Sequence, residues 1–146
     1  MPQSDIEETP TFAQGRVNTF GLAANVLLTD RVSLAARYLR RDSRQQGAND
    51  GLRLPYVPRD FLLLGGQWSL PERLLFGVRA IYRGERFRDD VNLDAIRGGW
   101  SLGFTSYWET ADKRSSIQFI LDNILSNKNA GVAPESHLLL RYSHRF

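Results

Sequence analysis

The stretch Leu138-Leu139-Leu140-Arg141-Tyr142-Ser143-His144-Arg145-Phe146, the last nine residues of the chain, decides how the rest is read. Counting back from Phe146 in steps of two gives His144, Tyr142, Leu140 and Leu138, while the other parity gives Arg145, Ser143, Arg141 and Leu139. A β-strand sends alternate side chains to opposite faces, so the spacing predicts a strand with one apolar, aromatic face and one largely polar face. An edge strand of a soluble β-protein would satisfy the same pattern, and the remaining sequence has to discriminate.

Composition narrows the classes. The chain has 146 residues, 42% of them hydrophobic, with no run of eighteen apolar residues and a negative mean hydropathy, so no α-helix is expected to span a bilayer. A transmembrane β-barrel stays open, because its strands need only about ten residues each with every second one apolar. The absence of cysteine excludes a disulfide framework and thiolate metal sites and is compatible with an envelope location. No basic segment leading into an apolar one follows Met1, so no secretory signal is expected in this sequence. The formal charge of +3 comes almost wholly from arginine, Lys113 and Lys128 being the lysines. These cations are spread along the chain rather than gathered on a recognition helix, which argues against nucleic acid as a partner.

Residues 1–14 are polar, acidic and broken by Pro2 and Pro10, and read as a flexible arm or loop; residues 15–146 read as strands. Over 16–29, Phe20, Leu22, Ala24, Val26 and Leu28 alternate with Thr19, Gly21, Ala23 and Asn25. After a turn at 29–31, Val32, Leu34, Ala36 and Tyr38 alternate with Ser33, Ala35 and Arg37. Leu34, Ala35, Tyr38 and Leu39 also fall at helical spacing, but a hairpin partner precedes them, which favours strand. Leu62, Leu64, Gly66, Trp68 and Leu70 mark one face of the next strand, and Leu74, Phe76, Val78, Ala80 and Tyr82 mark the following one, opposite Arg79 and Arg83. Trp100, Leu102, Phe104, Ser106 and Trp108 stand opposite a face ending in Glu109, and Ile117, Phe119 and Leu121 opposite Gln118, Ile120 and Asp122. With the terminal stretch this makes seven strands.

Short turns at 29–31, 71–73 and 110–114 alternate with long polar loops at 42–59, 84–97 and 125–135, the asymmetry of short periplasmic turns and long extracellular loops. The terminal strand, with Leu138, Leu140, Tyr142, His144 and Phe146 on one face, resembles the signal by which the barrel-assembly machinery recognises bacterial outer-membrane β-barrels. The family pattern has a more apolar residue where His144 stands. Setting Phe146 at the periplasmic rim puts Tyr38, Tyr82 and Trp100 near the outer interface and Trp68, Phe76, Trp108, Tyr142 and Phe146 near the inner one, as two aromatic girdles against outer-membrane lipid. The expected fold is all-β, an antiparallel up-and-down transmembrane β-barrel wall of about seven strands. Arg37, Arg79, Arg83, Glu109, Asp122 and Arg141 then face the lumen, as ion pairs or a pore lining. A one-residue slip would turn the four arginines toward lipid at roughly 2 to 4 kcal/mol each near the midplane, so register is well specified. A soluble eight-stranded ligand barrel keeps its apolar face inside, whereas here the aromatic face alternates with arginines, acids and glycines, which suits a wet lumen.

Leu52-Arg53-Leu54-Pro55-Tyr56-Val57-Pro58-Arg59, the strand through Trp68, and Tyr82-Arg83-Gly84-Glu85-Arg86-Phe87 with Asp89, Asp90 and Asn92 resemble the closing strands of TonB-dependent outer-membrane receptors. Asp122-Asn123-Ile124-Leu125 is similar to the Asn-Leu-Phe segment before their final strand, without its Phe. Large outer-membrane barrels fused to helical repeats are similar at the same level. The receptor resemblance implies uptake of a scarce nutrient such as a metal chelate, with a plug and an energy-coupling segment that have no counterpart in this sequence. The competing expectation is a small self-contained barrel acting as anchor, adhesin or envelope-stabilising protein. No nucleophile with a base, carboxylate pair or phosphate-binding glycine loop stands out, so neither an enzyme nor a cofactor is expected. His137 and His144 fall on opposite faces and cannot share a metal. Seven strands of alternating direction leave the first and last running the same way, and an antiparallel seam cannot join them. The expectation is therefore a carboxyl-terminal part of a larger barrel, completed by strands from preceding sequence or another chain.

Overall fold

A computed structural model describes residues 14–125 and 136–145. Residues 1–13, residues 126–135 and Phe146, on which the expected arm, most of the third expected loop and the end of the terminal signal fall, lie outside the described residues. The elements are β1 (Gly15–Thr29), β2 (Val32–Gln45), β3 (Asp60–Leu70), β4 (Leu74–Arg83), β5 (Arg86–Phe87), β6 (Ala95–Ile96), β7 (Gly99–Glu109), β8 (Ser115–Asp122) and β9 (His137–His144). Seven of them form one antiparallel sheet in the order β1-β2-β3-β4-β7-β8-β9, and β5 pairs with β6 inside the loop between β4 and β7. Among the described residues the sheet is an up-and-down meander that does not close, with β1 and β9 as its edges. Residues 33–41 belong to β2, so the helical alternative for them falls away.

Apart from a bulge between Leu27 and Thr29, register follows side-chain parity across the wall. Leu22, Tyr38, Leu62, Tyr82 and Trp100 form one cross-strand row, and Ala35, Gly65, Arg79 and Gly103 a row of the opposite face. One face is therefore aliphatic and aromatic from β1 to β9. The other carries arginines, small residues and scattered apolar ones.

The ends are shaped by local chemistry. Thr29 Oγ1 accepts hydrogen bonds from the Arg31 and Val32 amides at 3.2 and 3.1 Å, and a bulge between Leu27 and Thr29 absorbs the turn. Leu70 pairs with Leu74 around a three-residue loop in which Arg73 takes φ 57°, the left-handed position of a bulged hairpin. In the 110–114 turn, Asp112 accepts from the Thr110 hydroxyl at 2.6 Å and the Arg114 amide at 3.0 Å. These two bonds hold its carboxyl below the ordinary carboxylate range.

β2 runs to Gln45, four residues beyond the strand end expected at Arg41. The polar run Asp42-Ser43-Arg44-Gln45 masks it in sequence, yet Gly15 to Asn18 pair with it residue by residue, and Ser43 and Gln45 are buried beneath the loop that follows.

Ile96 is the only buried hydrophobic residue among those described. Leu22, Val78, Leu138, Leu140 and Tyr142 are instead more than half exposed on one face. A sheet with no apolar interior is held by its ladder and by whatever medium covers that face. A bilayer is such a medium.

Candidate functional site

The inner, polar face is concave, and its upper part beside the long loops is a recess of about 690 Å³. Four arginines reach it from three elements: Arg41 on β2, Arg79 and Arg83 four residues apart on β4, and Arg86 on β5. Tyr56, Phe61 and Ile81 supply apolar wall, and Asp122 and His137, a cross-strand pair of β8 and β9, close the far side. Arg79 Nη2 donates to Asp122 Oδ1 at 2.6 Å. The Arg86 side chain is buried, and burial first, then the neighbouring Arg83 and Arg88 charges, lower its pKa from the usual guanidinium value. Positive charge is concentrated here at the mouth of the concave face, with aromatic and aliphatic surface beside it. Such a surface suits an anionic molecule with an apolar or aromatic body.

The two loops above the recess interlock. Asn92 Oδ1 accepts the Arg53 amide at 2.7 Å while Asn92 Nδ2 donates to the Arg53 carbonyl at 2.9 Å, so one side chain stands in for a ladder partner. Asn92 has φ 58°, a conformation that asparagine tolerates better than most residues. The Tyr56 amide donates to the Phe87 carbonyl at 2.7 Å, the Arg53 guanidinium lies 5.4 Å from the Phe87 ring centroid, and Gln45 Nε2 bonds the carbonyls of Arg53 and Asp90. Asp89 caps the far strand of the loop by accepting from the Leu93 and Asp94 amides.

The six residues expected to face the lumen, Arg37, Arg79, Arg83, Glu109, Asp122 and Arg141, stand on this one face. Arg79, Arg83 and Asp122 meet in the recess. Arg37, Glu109 and Arg141 do not join them, and among the described residues none of these three is in an ion pair. Tyr38, Tyr82 and Trp100 lie at the long-loop end of the opposite face, with Tyr82 and Trp100 rings 5.3 Å apart. Trp68, Phe76, Trp108 and Tyr142 lie toward the short-turn end of that face. Leu138, Leu140, Tyr142 and His144 of the terminal strand share it, and Phe146 lies outside the described residues. His144 Nδ1 is 2.8 Å from Ser115 Oγ, and His137 points to the other side of the sheet.

Sequence reasoning gave Arg41 no role, and it named Tyr56, Arg86 and Asn92 only as residues of the receptor resemblance, not as lining of a recess or as a clamp. Arg41 shares the parity of Arg37 and was legible by extending β2. Arg86 and Asn92 sit in a loop with no period, where nothing but three-dimensional pairing reveals their direction.

No known family model matches the chain, and no curated protein matches it. Solved structures do. The siderophore receptor PiuA from Acinetobacter baumannii aligns with a TM-score of 0.65 at 20% identity, over 77% of this chain and 18% of that receptor. The ferric-catecholate import receptor Fiu from E. coli K12 gives 0.66 at 18% identity, over 90% of this chain and 21% of its own. The ferric yersiniabactin uptake receptor FyuA from Yersinia pestis gives 0.65 at 16%, over 88% and 22%. The chain thus spans about a fifth of the length of these proteins, and it has the barrel-wall fold of TonB-dependent outer-membrane receptors.

Proposed function

We propose that this chain is the carboxyl-terminal wall of an outer-membrane uptake receptor of the TonB-dependent kind, and that the arginine-lined recess contributes to holding an anionic metal chelate on its way inward. The observation that carries this is the division of one open meander into a continuous apolar face and a concave arginine-bearing face, with long interlocked loops at one end and tight turns at the other. A barrel wall that admits a polar solute needs that division, and it fits the likeness to three ferric-chelate and siderophore receptors.

In this reading the apolar face contacts outer-membrane lipid, assembly uses the β9 signal, and further strands, from preceding sequence or another chain, pair with β1 and β9. Two open edges in hydrocarbon would leave backbone groups without partners at several kcal/mol each. The self-contained small barrel is disfavoured, because β1 and β9 run in the same direction and cannot seal an antiparallel seam with one another.

Radio-iron uptake from a panel of ferric chelates, compared between cells with and without the protein and with and without a protonophore, tests the assignment. Energy-dependent accumulation of at least one chelate is expected only with the protein. Passive, non-selective permeation, or no difference across the panel, would count against a receptor.

A further inference from the structure

Three arginines stand on the outward face just beyond the apolar band, and the recess makes no use of them. Along β1 the outward residues run Leu28, Val26, Ala24, Leu22 and Phe20, then Asn18 and Arg16; along β2 they run Leu34, Ala36 and Tyr38, then Arg40, Asp42 and Arg44. The change from apolar to polar falls after Tyr38 on β2 and one pair later, after Phe20, on β1, because Phe20 is the partner of Arg40. Arg40 lies one step past the row that holds Tyr38, Tyr82 and Trp100, and the Arg16–Arg44 pair three steps past it.

Arg16 and Arg44 are direct cross-strand partners on that face. Like charges placed opposite each other repel, and the arrangement calls for an anion between them. Each guanidinium bonds along its own strand, Arg16 Nε to Asn18 Oδ1 and Arg44 Nε to Asp42 Oδ1 at 3.2 Å, and Arg44 Nη1 also donates to the Gly51 carbonyl at 3.2 Å. Arg40 stands between Phe20 and Asp60, whose carboxylate already accepts the Tyr38 hydroxyl at 2.6 Å. Three exposed guanidiniums therefore stand with two carboxylates, Asp42 paired with Arg44 itself and Asp60 bonded by Tyr38, and the patch keeps a net positive charge.

A cation beyond an aromatic belt and directed away from the lumen cannot reach a solute inside a barrel. What it meets is the headgroup layer. Guanidinium forks match phosphate oxygens in pairs, and basic groups at an anionic membrane surface add about fivefold each in affinity. From Arg40 to Arg44 the strand advances about 13 Å, room for more than one phosphate. On the reading that this sheet is an outer-membrane wall with its long loops outside, we propose that Arg16, Arg40 and Arg44 form a binding site for anionic, phosphate-bearing lipid headgroups of the outer leaflet.

The test uses the assembled protein, extracted from outer membranes in mild detergent and titrated with phosphatidylglycerol or phosphatidylcholine, with bound lipid read by native mass spectrometry. The wild type should prefer phosphatidylglycerol. Arg40→Gln should lose about fivefold of that preference and the triple variant Arg16→Gln, Arg40→Gln, Arg44→Gln on the order of a hundredfold. Arg41→Gln, at the same height on the inner face, should keep it. Inorganic phosphate should not displace the lipid; displacement would mark a soluble-anion site and overturn the proposal, as would an undiminished preference in the triple variant. A protein absent from the outer-membrane fraction sinks the wall reading and this site together. A protein present there without lipid preference sinks this site alone.

Discussion

Arg79 and Asp122 meet across three strands because Gly103, between them on β7, has no side chain. A Cβ built there would lie 2.5 Å from Asp122 Oδ1, so the 2.6 Å ion pair occupies space that only glycine leaves. Both side chains are partly solvent-exposed, so the pair adds at most about 1 kcal/mol to stability. Its larger consequence is electrostatic: Asp122 neutralises one of the four arginines of the recess.

The two halves of that pair should therefore act with opposite sign on an anionic ligand. Asp122→Asn releases the Arg79 charge and should tighten chelate binding by roughly fivefold, the effect of about 1 kcal/mol, whereas Arg79→Gln should weaken it by a similar factor. Equilibrium titration of the purified protein with a bound chelate measures both. Equal weakening by both variants would mean that the pair acts by shape alone.

The Asn92 clamp should govern the order of the two outer loops. Asn92→Gly keeps the φ 58° conformation accessible but removes both bonds to Arg53, with an expected loss of about 1 to 3 kcal/mol in the local opening free energy. Asn92→Ala should lose somewhat more, because alanine also strains at that φ. Hydrogen exchange over 46–59 and 84–98 reads the difference, and unchanged protection in both variants would refute the clamp.

The wall was legible because a barrel strand writes its two faces in alternate letters. Val78 and Arg79, or Leu140 and Arg141, cannot exchange sides without putting charge into hydrocarbon, so parity fixed the register before any partner was known. The end of β2 was not legible, since Ser43 and Gln45 are polar and turn inward under a loop, a burial that composition cannot announce. The recess was legible in half: Arg79, Arg83 and Asp122 lie on periodic strands, whereas Arg86 and Tyr56 reach it from loops whose direction is set by the Asn92 and Phe87 contacts. Tight turns were readable from Thr29, Pro71 and Asp112, because local hydrogen bonds and fixed dihedrals act within a few residues.

Acid should loosen the 84–98 loop. Partial burial pushes the Asp89 carboxyl up, but the amides of Leu93, Asp94 and Asp89 itself outweigh that and hold its pKa below the ordinary carboxylate value. A group whose folded pKa is depressed contributes stability above its unfolded pKa and loses it as pH falls through the folded value. Exchange or proteolysis in this loop should therefore rise as pH drops below the ordinary carboxylate range. In Asp89→Asn, which cannot titrate, the loop should be looser at neutral pH and show a smaller acid response; an identical response in both would remove Asp89 as the cause.

The edges of the sheet give the sharpest test of how the wall is completed. In an antiparallel ladder, alternate residues of an edge strand direct their amide and carbonyl toward the neighbour, and the residues between direct theirs to the open side. β1 has fifteen residues, so about half of its amides have no ladder partner in β2. If further strands seal β1 and β9 in the assembled protein, consecutive amides along both should be protected from exchange to a similar degree as those of β3 and β4. If the sheet stays open, protection should alternate residue by residue along β1 and β9 while remaining continuous in the interior strands. Residue-resolved exchange on protein assembled in the outer membrane and then extracted distinguishes the two, and an alternating pattern there would overturn the proposal that other strands complete the barrel.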